Sequence, residues 1–339
     1  MRKILVTGGC GYIGSHTIVD LLQNGYECIS LDSYINSDAS VLDQIEEITG
    51  KKVKNYPVDL VERKAVEEVF EQEDIYAIIH FAALKAVGES VAKPLLYYRN
   101  NVEGQINLLE SALKHKVKHF IFSSSCTVYG QSDELPVTEE TPIQTAESPY
   151  GYTKQVCERI IEDSIIDSDM NACLLRYFNP AGAHESLKLG ESPINQPLNL
   201  VPIITEVGIG KRERLNVFGT DYDTRDGSCI RDFIHVMDLA DAHTKALKYL
   251  ENDEISGGNV DVFNLGTGKG TTVLEAIRNW EEVSGNQLNY SLDERRPGDI
   301  PSMFANYEKA KERLGWDPKR GIREIMDTAW GWEKIRNKS

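Results

Sequence analysis

Ile4-Leu5-Val6-Thr7-Gly8-Gly9-Cys10-Gly11-Tyr12-Ile13-Gly14 decides how the rest of the chain is read. Ile4-Leu5-Val6 makes a short apolar strand. Gly8, Gly11 and Gly14 then remove side chains where the backbone turns tightly and must approach a phosphate. The helix that follows runs to about Gly25 and points its unpaired N–H groups at the same place. A second strand, Cys28-Ile29-Ser30-Leu31, stops at Asp32, 18 residues after Gly14. A carboxylate at that distance meets the ribose hydroxyls of an adenosine, and an acid rather than an arginine there favours NAD over NADP.

Further strand–helix units follow. Val53–Val58 reads as a strand ending at Asp59-Leu60, with a charged helix from about Glu62 to Gln72. Ile75–His80 reads as a buried strand ending in Phe81-Ala82-Ala83-Leu84-Lys85. Apolar residues at Tyr98, Val102, Ile106, Leu109 and Leu113 mark one helix over Pro94–Lys114. Lys118–Ser124 and Ala172–Tyr177 complete six strands. The alternation predicts an α/β, Rossmann doubly wound parallel sheet, with ligands gathered at the carboxyl ends of the strands. After Phe178-Asn179-Pro180, the prolines at 180, 193, 197 and 202 change the texture. The predicted division is a nucleotide-binding domain over 1–178 and a smaller mixed α/β carboxyl-terminal region over 179–339, some of whose segments return to the sheet.

Composition sets limits on this reading. The 339 residues suffice for a large buried core, and a net charge of −16 argues against a nucleic-acid partner, which needs clustered Lys and Arg. Six cysteines without CxxC spacing predict free thiols in a reducing compartment, and no apolar run approaches membrane-spanning length, so a cytoplasmic protein with no membrane partner is expected. The apolar start dies at Thr7-Gly8-Gly9, too early for a signal peptide. His115 and His119 have metal-like spacing but straddle a helix-to-strand junction, so no metal site is expected. Asp221–Gly227 starts like a calcium loop, but Arg225 takes a ligand position; Gly266–Gly270 suggests a phosphate loop, but Gly follows Lys269 where Ser or Thr is needed. Both read as turns.

The chemistry is carried by Ser123–Lys154. Ser125 lies at the end of a predicted strand, while Tyr150 and Lys154 stand four apart on one face of the next helix, predicted over Tyr150–Ser168. A cation beside the phenol, with the charge of an oxidised nicotinamide, is expected to lower the Tyr150 pKa so that it takes a hydroxyl proton while hydride leaves the carbon. Ser125 orients that hydroxyl.

These residues resemble the extended short-chain dehydrogenase/reductase superfamily and, more narrowly, the UDP-glucose 4-epimerase family. The likeness runs through Thr7–Thr17, His80–Ser90, Ser123–Gly130, Ser148-Pro149-Tyr150-Gly151, Leu174–Ala183 and Ile234–Ala240. It implies a tightly held NAD and reversible interconversion of UDP-galactose and UDP-glucose through a 4-keto sugar, part of galactose metabolism. It carries NAD contacts onto Tyr12 and Ile13, onto Asp32, Ser33, Tyr34, Ile35, Asn36 and Ser37, and onto Asp59 and Leu60. Phe81, Ala82, Ala83, Leu84 and Lys85 join them, with Asn100, Ser125, Tyr150, Lys154 and Phe178. The UDP-sugar side falls on Asn179, Asn199, Leu200, Phe218, Arg231, Arg296 and Asp299, with Ser125 and Tyr150 at the hexose and Met303 gating its pocket. Guanidinium suits diphosphate oxygens bidentately. The likeness also implies a homodimer built on Pro94–Lys114 and Tyr150–Ser168.

Three positions depart from the family pattern. Cys10 replaces a small residue, Phe233 stands where many relatives carry Tyr, and Met303 is intermediate between a bulky gate that restricts the pocket to plain hexoses and a small one that admits N-acetylated ones. Epimerisation of UDP-N-acetylglucosamine therefore stays open. The rival on this fold is a nucleotide-sugar 4,6-dehydratase, which needs an Asp-Glu pair where this chain has Cys126-Thr127. A non-catalytic NAD sensor would have no use for Ser125, Tyr150 and Lys154 together.

Overall fold

A computed structural model describes residues 2–132, 134–252, 255, 257–296 and 299–338. The first half alternates strand and helix: β1 (Lys3–Thr7), α1 (Tyr12–Gln23), β2 (Glu27–Leu31), α2 (Ser40–Thr49), β3 (Lys54–Tyr56), α3 (Arg63–Gln72) and β4 (Ala77–His80). Short helices α4 (Val87–Ala92) and α5 (Pro94–Tyr97) lead through a π-helical turn, Tyr98–Glu103, into α6 (Gly104–Lys114). Then come β5 (His119–Ser123), a 3₁₀ turn at Cys126–Tyr129, α7 (Pro149–Ile165) and β6 (Asn171–Tyr177).

The second half is built of shorter pieces. It holds β7 (Asn179–Ala181), α8 (Leu200–Gly208), β8 (Leu215–Phe218), β9 (Ile230–Arg231), β10 (Phe233–His235), α9 (Val236–Leu250) and β11 (Val260–Leu265). The chain ends through β12 (Thr271–Thr272), α10 (Val273–Ser284), β13 (Tyr290–Asp293), β14 (Ser302–Met303), α11 (Glu308–Leu314) and α12 (Ile322–Arg336).

Seven parallel strands form one sheet in the order β11-β6-β5-β4-β1-β2-β3. Successive strand residues point to opposite faces, and the apolar sets divide accordingly. Ile4, Val6, Ile79, Ile121 and Leu175 pack under α1, α2, α9 and α11, while Leu5, Ile78, Phe120, Phe122 and Leu174 pack under α3, α6 and α7. The seventh strand and α9 come from the second half of the chain; β11 extends the sheet beside β6, and α9 lies against α1. A third core joins α8, α10 and α12, and a fourth, smaller one joins the 3₁₀ turn to Phe178, Met303 and Ala305.

Two elements differ from the sequence expectation. Pro94–Lys114 is helical throughout but not one α-helix, because the π turn at Tyr98–Glu103 widens it. In a regular helix adjacent side chains diverge by about 100°. Here Asn100 and Asn101 both reach the Leu84 backbone N–H, at 3.2 and 2.8 Å. The strand at Val53–Val58 shrinks to Lys54–Tyr56, an edge strand that pairs only with β2. Among the described residues no helix is long and apolar enough to cross a membrane.

Candidate active site

Strand order reverses between β1 and β4, and the loops that leave these strands open a crevice there. Gly8 sits at φ +67°, and a Cβ on it would lie 2.9 Å from the Ala82 nitrogen. A Cβ on Gly14 would lie 2.2 Å from the Gly8 oxygen. Only glycine fits at either place, and the turn delivers Gly11 as the N-cap of α1, followed by Tyr12 and Ile13. Asp32, buried at the end of β2, is locked in place: Oδ2 accepts from Cys10 N (2.9 Å), and Oδ1 accepts from Tyr34 N (2.9 Å) and Ser37 Oγ (2.7 Å). Ser33, Ile35 and Asn36 complete that loop, with Ile35 and Asn36 exposed. Across the crevice Thr7 Oγ1 accepts from Ala82 N (3.3 Å), and the Phe81 ring lies 4.6 Å from that of His243. Asp59 caps its own turn through Val61 N, Leu60 is buried against Gly104, and Ala83 follows Ala82 on the crevice loop. The turn free of side chains at a helix N-terminus, with the fixed carboxylate beyond it, fits a dinucleotide.

Ser125, Tyr150 and Lys154 come together where β5 ends and α7 begins. Ser148 caps α7 by accepting from Gly151 N at 3.1 Å, with Pro149 in the first turn, and so sets where Tyr150 points. The Ser125 hydroxyl lies close enough to the Tyr150 phenol to oppose the rise of its pKa. The Ser125 oxygen accepts from Thr127 N (3.2 Å) and Thr127 Oγ1 (3.0 Å). Lys154 is buried, donates to the Ser123 carbonyl at 2.7 Å and lies 4.7 Å from the Phe122 ring centroid. Burial pulls its ammonium down to about 8, against the pull of Cys157 and Glu158.

In the protein alone burial pushes the Tyr150 phenol well up, Tyr177 adds to this, and the neighbouring Ser125 hydroxyl opposes it; the expected lowering includes the charge of an oxidised nicotinamide. Lys154 directs its ammonium at a backbone carbonyl instead. The two residues that a dehydratase would use as an acid–base pair are also accounted for. Thr127 is engaged with Ser125, and burial pushes the Cys126 thiol up to about 11.

The residues expected on the UDP-sugar side fall into three groups. Phe218, Arg231, Arg296 and Asp299 converge. Arg296 forks onto Asp299 (3.0 and 3.3 Å) and stacks 4.6 Å over the Phe218 ring, and Arg231 reaches Asp299 at 3.6 Å while donating to the Ile230 and Ile300 carbonyls. Met303, on β14 paired with β9, packs with Phe178, Val128 and Ala305, and Cys126 lines that cluster. Asn199 caps α8 just before Leu200 and donates to Glu191 at 3.5 Å; Lys85 lies 3.9 Å from the same carboxylate. Asn179 opens β7, its N–H bonded to the Asp232 carbonyl. Arg231 pairs with Met303 across β9 and β14, and Cys126, next to Ser125, packs against the Met303 cluster, so the first two groups adjoin Ser125. Lys85 is largely exposed and joins the rest only through Glu191.

Sequence reasoning missed several residues. Buried Asn101 bonds both Leu84 N and O and also Thr153 Oγ1, tying the crevice loop to α7; its one signal was a polar pair inside an apolar helical stripe. Tyr177 hydrogen-bonds Ser123 Oγ and is pushed up to about 12 by burial. Glu191 is raised by burial, with Lys85 and Asn199 opposing. The two decoy loops are turns: Asp221 is bound to Arg295, and the Thr267 and Gly268 N–H groups point at buried Asp232 rather than at an open anion site. His115 pairs with Glu67 and His119 with Tyr76, and the described residues hold no metal-binding cluster of three or more. Phe233 is buried in the third core.

Comparison with known proteins agrees over nearly the full chain. A family model described as GDP-mannose 4,6 dehydratase matches residues 5–329. The UDP-glucose 4-epimerase of Bacillus subtilis is 50% identical over 331 residues, 97% of this chain and 96% of that one. The crystal structure of the Bifidobacterium longum UDP-glucose 4-epimerase in complex with NAD+ and UDP superposes with a TM-score of 0.94 at 45% identity, covering 99% of each chain. That of the Stenotrophomonas maltophila enzyme, with bound NAD and formylated UDP-arabinopyranose, gives 0.96 at 40% identity, covering 100% of this chain and 99% of that one.

Proposed function

The chain belongs to the UDP-glucose 4-epimerases, and we propose that it interconverts UDP-galactose and UDP-glucose as an NAD-dependent isomerase acting at Ser125, Tyr150 and Lys154. One observation carries the assignment of the site: Ser125, at the end of β5, faces Tyr150 on α7 while Lys154 of the same helix is bonded to the Ser123 carbonyl, beside Cys126-Thr127 rather than an acid pair. The wider family model is named for a dehydratase, but elimination of water needs a strong acid and base that these two residues do not supply.

The glycine turn, Asp32 and the Phe81–Lys85 loop hold NAD, with Asn100 and Asn101 fixing the loop at Leu84. When bound, NAD supplies the acceptor and donor of the C4 hydride and the positive charge of its oxidised form. Tyr150 takes the proton of the sugar 4-hydroxyl and returns it on the other face. Ser125 already accepts from Thr127, so its single O–H is directed at Tyr150 or at a hydroxyl placed between them. Lys154, together with the positive charge of oxidised NAD when that is bound, is the cation that would favour a phenolate at Tyr150. Arg231 and Arg296, held by Asp299 and Phe218, grip the diphosphate with their remaining N–H groups. Asn179 and the Asn199-Leu200 start of α8 complete the nucleotide side, Phe178 serves NAD, and Met303 walls the hexose. Residues 1–178 thus serve NAD and 179–339 serve UDP-sugar, with α9 and β11 lent to the sheet.

Incubation with UDP-galactose, with products identified by NMR, tests the reaction. UDP-glucose without net NADH release supports it; a 4-keto-6-deoxy sugar or stoichiometric NADH refutes it.

We also propose a homodimer. Leu95 is 79% exposed, Val91 63% and Tyr152 49%, apolar side chains on α5, α4 and α7, three helices that pack against one another. Sedimentation should give a dimer that Leu95→Glu splits into monomers; a monomeric wild type refutes it. Six free cysteines suit a cytoplasmic location, which fractionation of the native cells checks.

A further inference from the structure

Ser123, Ser124 and Ser125 each face a different residue on one face of α7. Lys154 Nζ donates to the Ser123 carbonyl (2.7 Å), Ser124 Oγ donates to Glu158 Oε1 (2.5 Å), and the Ser125 hydroxyl lies near the Tyr150 phenol. Positions 150, 154 and 158 recur every four residues, so they stack along one stripe of the helix. The strand end is therefore pinned to α7 by hydrogen bonds at Ser123 and Ser124, immediately before the catalytic Ser125.

Glu158 does not stand alone. Arg176 on β6 forks onto it, Nε to Oε1 at 2.9 Å and Nη2 to Oε2 at 2.7 Å, while Nη1 donates to the Tyr129 hydroxyl at 3.1 Å. Tyr129 in turn donates to Asn264 Oδ1 on β11 at 2.6 Å. Ser124, Tyr129, Glu158 and Arg176 are each no more than 4% exposed. Tyr129 closes the 3₁₀ turn that Ser125 caps, so the same ion pair grips the residue before Ser125 and the end of the turn after it.

We infer that Glu158 and Arg176 are positioning residues that aim the Ser125 hydroxyl at the reacting oxygen; this rests on the active-site reading above. A buried pair with every oxygen engaged is a stiff clamp, because removing one partner leaves an uncompensated charge. Small displacements of a catalytic group cost up to about 100-fold in rate.

The pair itself is a poor first target, since Glu158→Gln strands a buried guanidinium. Ser124→Ala and Tyr129→Phe each cut one link and leave the pair whole. Steady-state kinetics with UDP-galactose on NAD-loaded protein should show kcat down roughly 10-fold in each, KM within about 2-fold and NAD content unchanged. The deciding readout is a double-mutant cycle: in a Ser125→Ala background neither change should lower kcat further. Equal losses in both backgrounds, or none in either, would overturn the inference. A Ser125→Ala enzyme with full activity would overturn the active-site reading itself, and this inference with it.

Discussion

Taking this protein from about pH 7.5 to about pH 5 should remove a large part of its stability. Burial holds His16 down to about 4, His80 to about 3 and His243 to about 4, with Lys154 adding to the effect on His80. His119 and His235 follow, at about 4 and about 3. Unfolded histidine titrates near ~6.5, so the folded values are depressed. The stabilisation is complete above ~6.5 and drains away as the pH falls, because the unfolded chain takes up protons that the native one refuses. At about pH 5 each fully held histidine costs ~2 kcal/mol, and His16, His80 and His243 together ~6, against a total stability of about 5–15 kcal/mol. Asp232 and Glu191, raised by burial, pull the other way as they gain protons. His243→Met isolates one contribution. Its Nδ1 meets only the Leu239 carbonyl and its Nε2 is buried without a partner, so the swap removes a titration and an orphaned nitrogen while keeping a side chain against Phe81. Urea unfolding under saturating NAD should give similar stability near neutrality and an acid loss smaller by ~2 kcal/mol than in wild type. Parallel pH curves for the two proteins would refute the reasoning.

Two further outcomes are expected. Turnover should fall on the alkaline side as Lys154, held near about 8, loses its proton, and Lys154→Met should flatten that limb at a rate lower by ~100-fold; a variant that keeps the wild-type pH profile contradicts this. Met303→Ala, emptying space beside Phe178, should cost about 2–5 kcal/mol of stability and raise kcat/KM for UDP-N-acetylglucosamine relative to UDP-glucose; an unchanged ratio means Met303 is not the gate.

The sheet and the crevice were legible because they rest on local signals. Glycine spacing, strand-end residues and the Tyr150/Lys154 interval all lie within one or two turns of each other. The π turn was not legible, since the apolar stripe from Tyr98 to Leu113 is compatible with either winding and the choice is made by Leu84, whose N–H draws in two asparagines. The Glu158–Arg176–Tyr129–Asn264 chain spans four elements and 135 residues between its last two members, so no window along the sequence displays it. The Tyr150 pKa in the protein alone was not legible for a related reason. Spacing puts Lys154 on the same helix face, but burial and the Ser123 carbonyl, both tertiary effects, decide what its charge does.

The central claim is that Tyr150 moves the proton of the sugar's C4 hydroxyl. Tyr150→Phe removes that oxygen while keeping the ring. Conversion of UDP-galactose by the NAD-loaded variant, followed by NMR alongside its NAD content and UDP affinity, should fall at least ~1,000-fold with NAD and UDP still held. A variant that turns over at the wild-type rate would contradict the account.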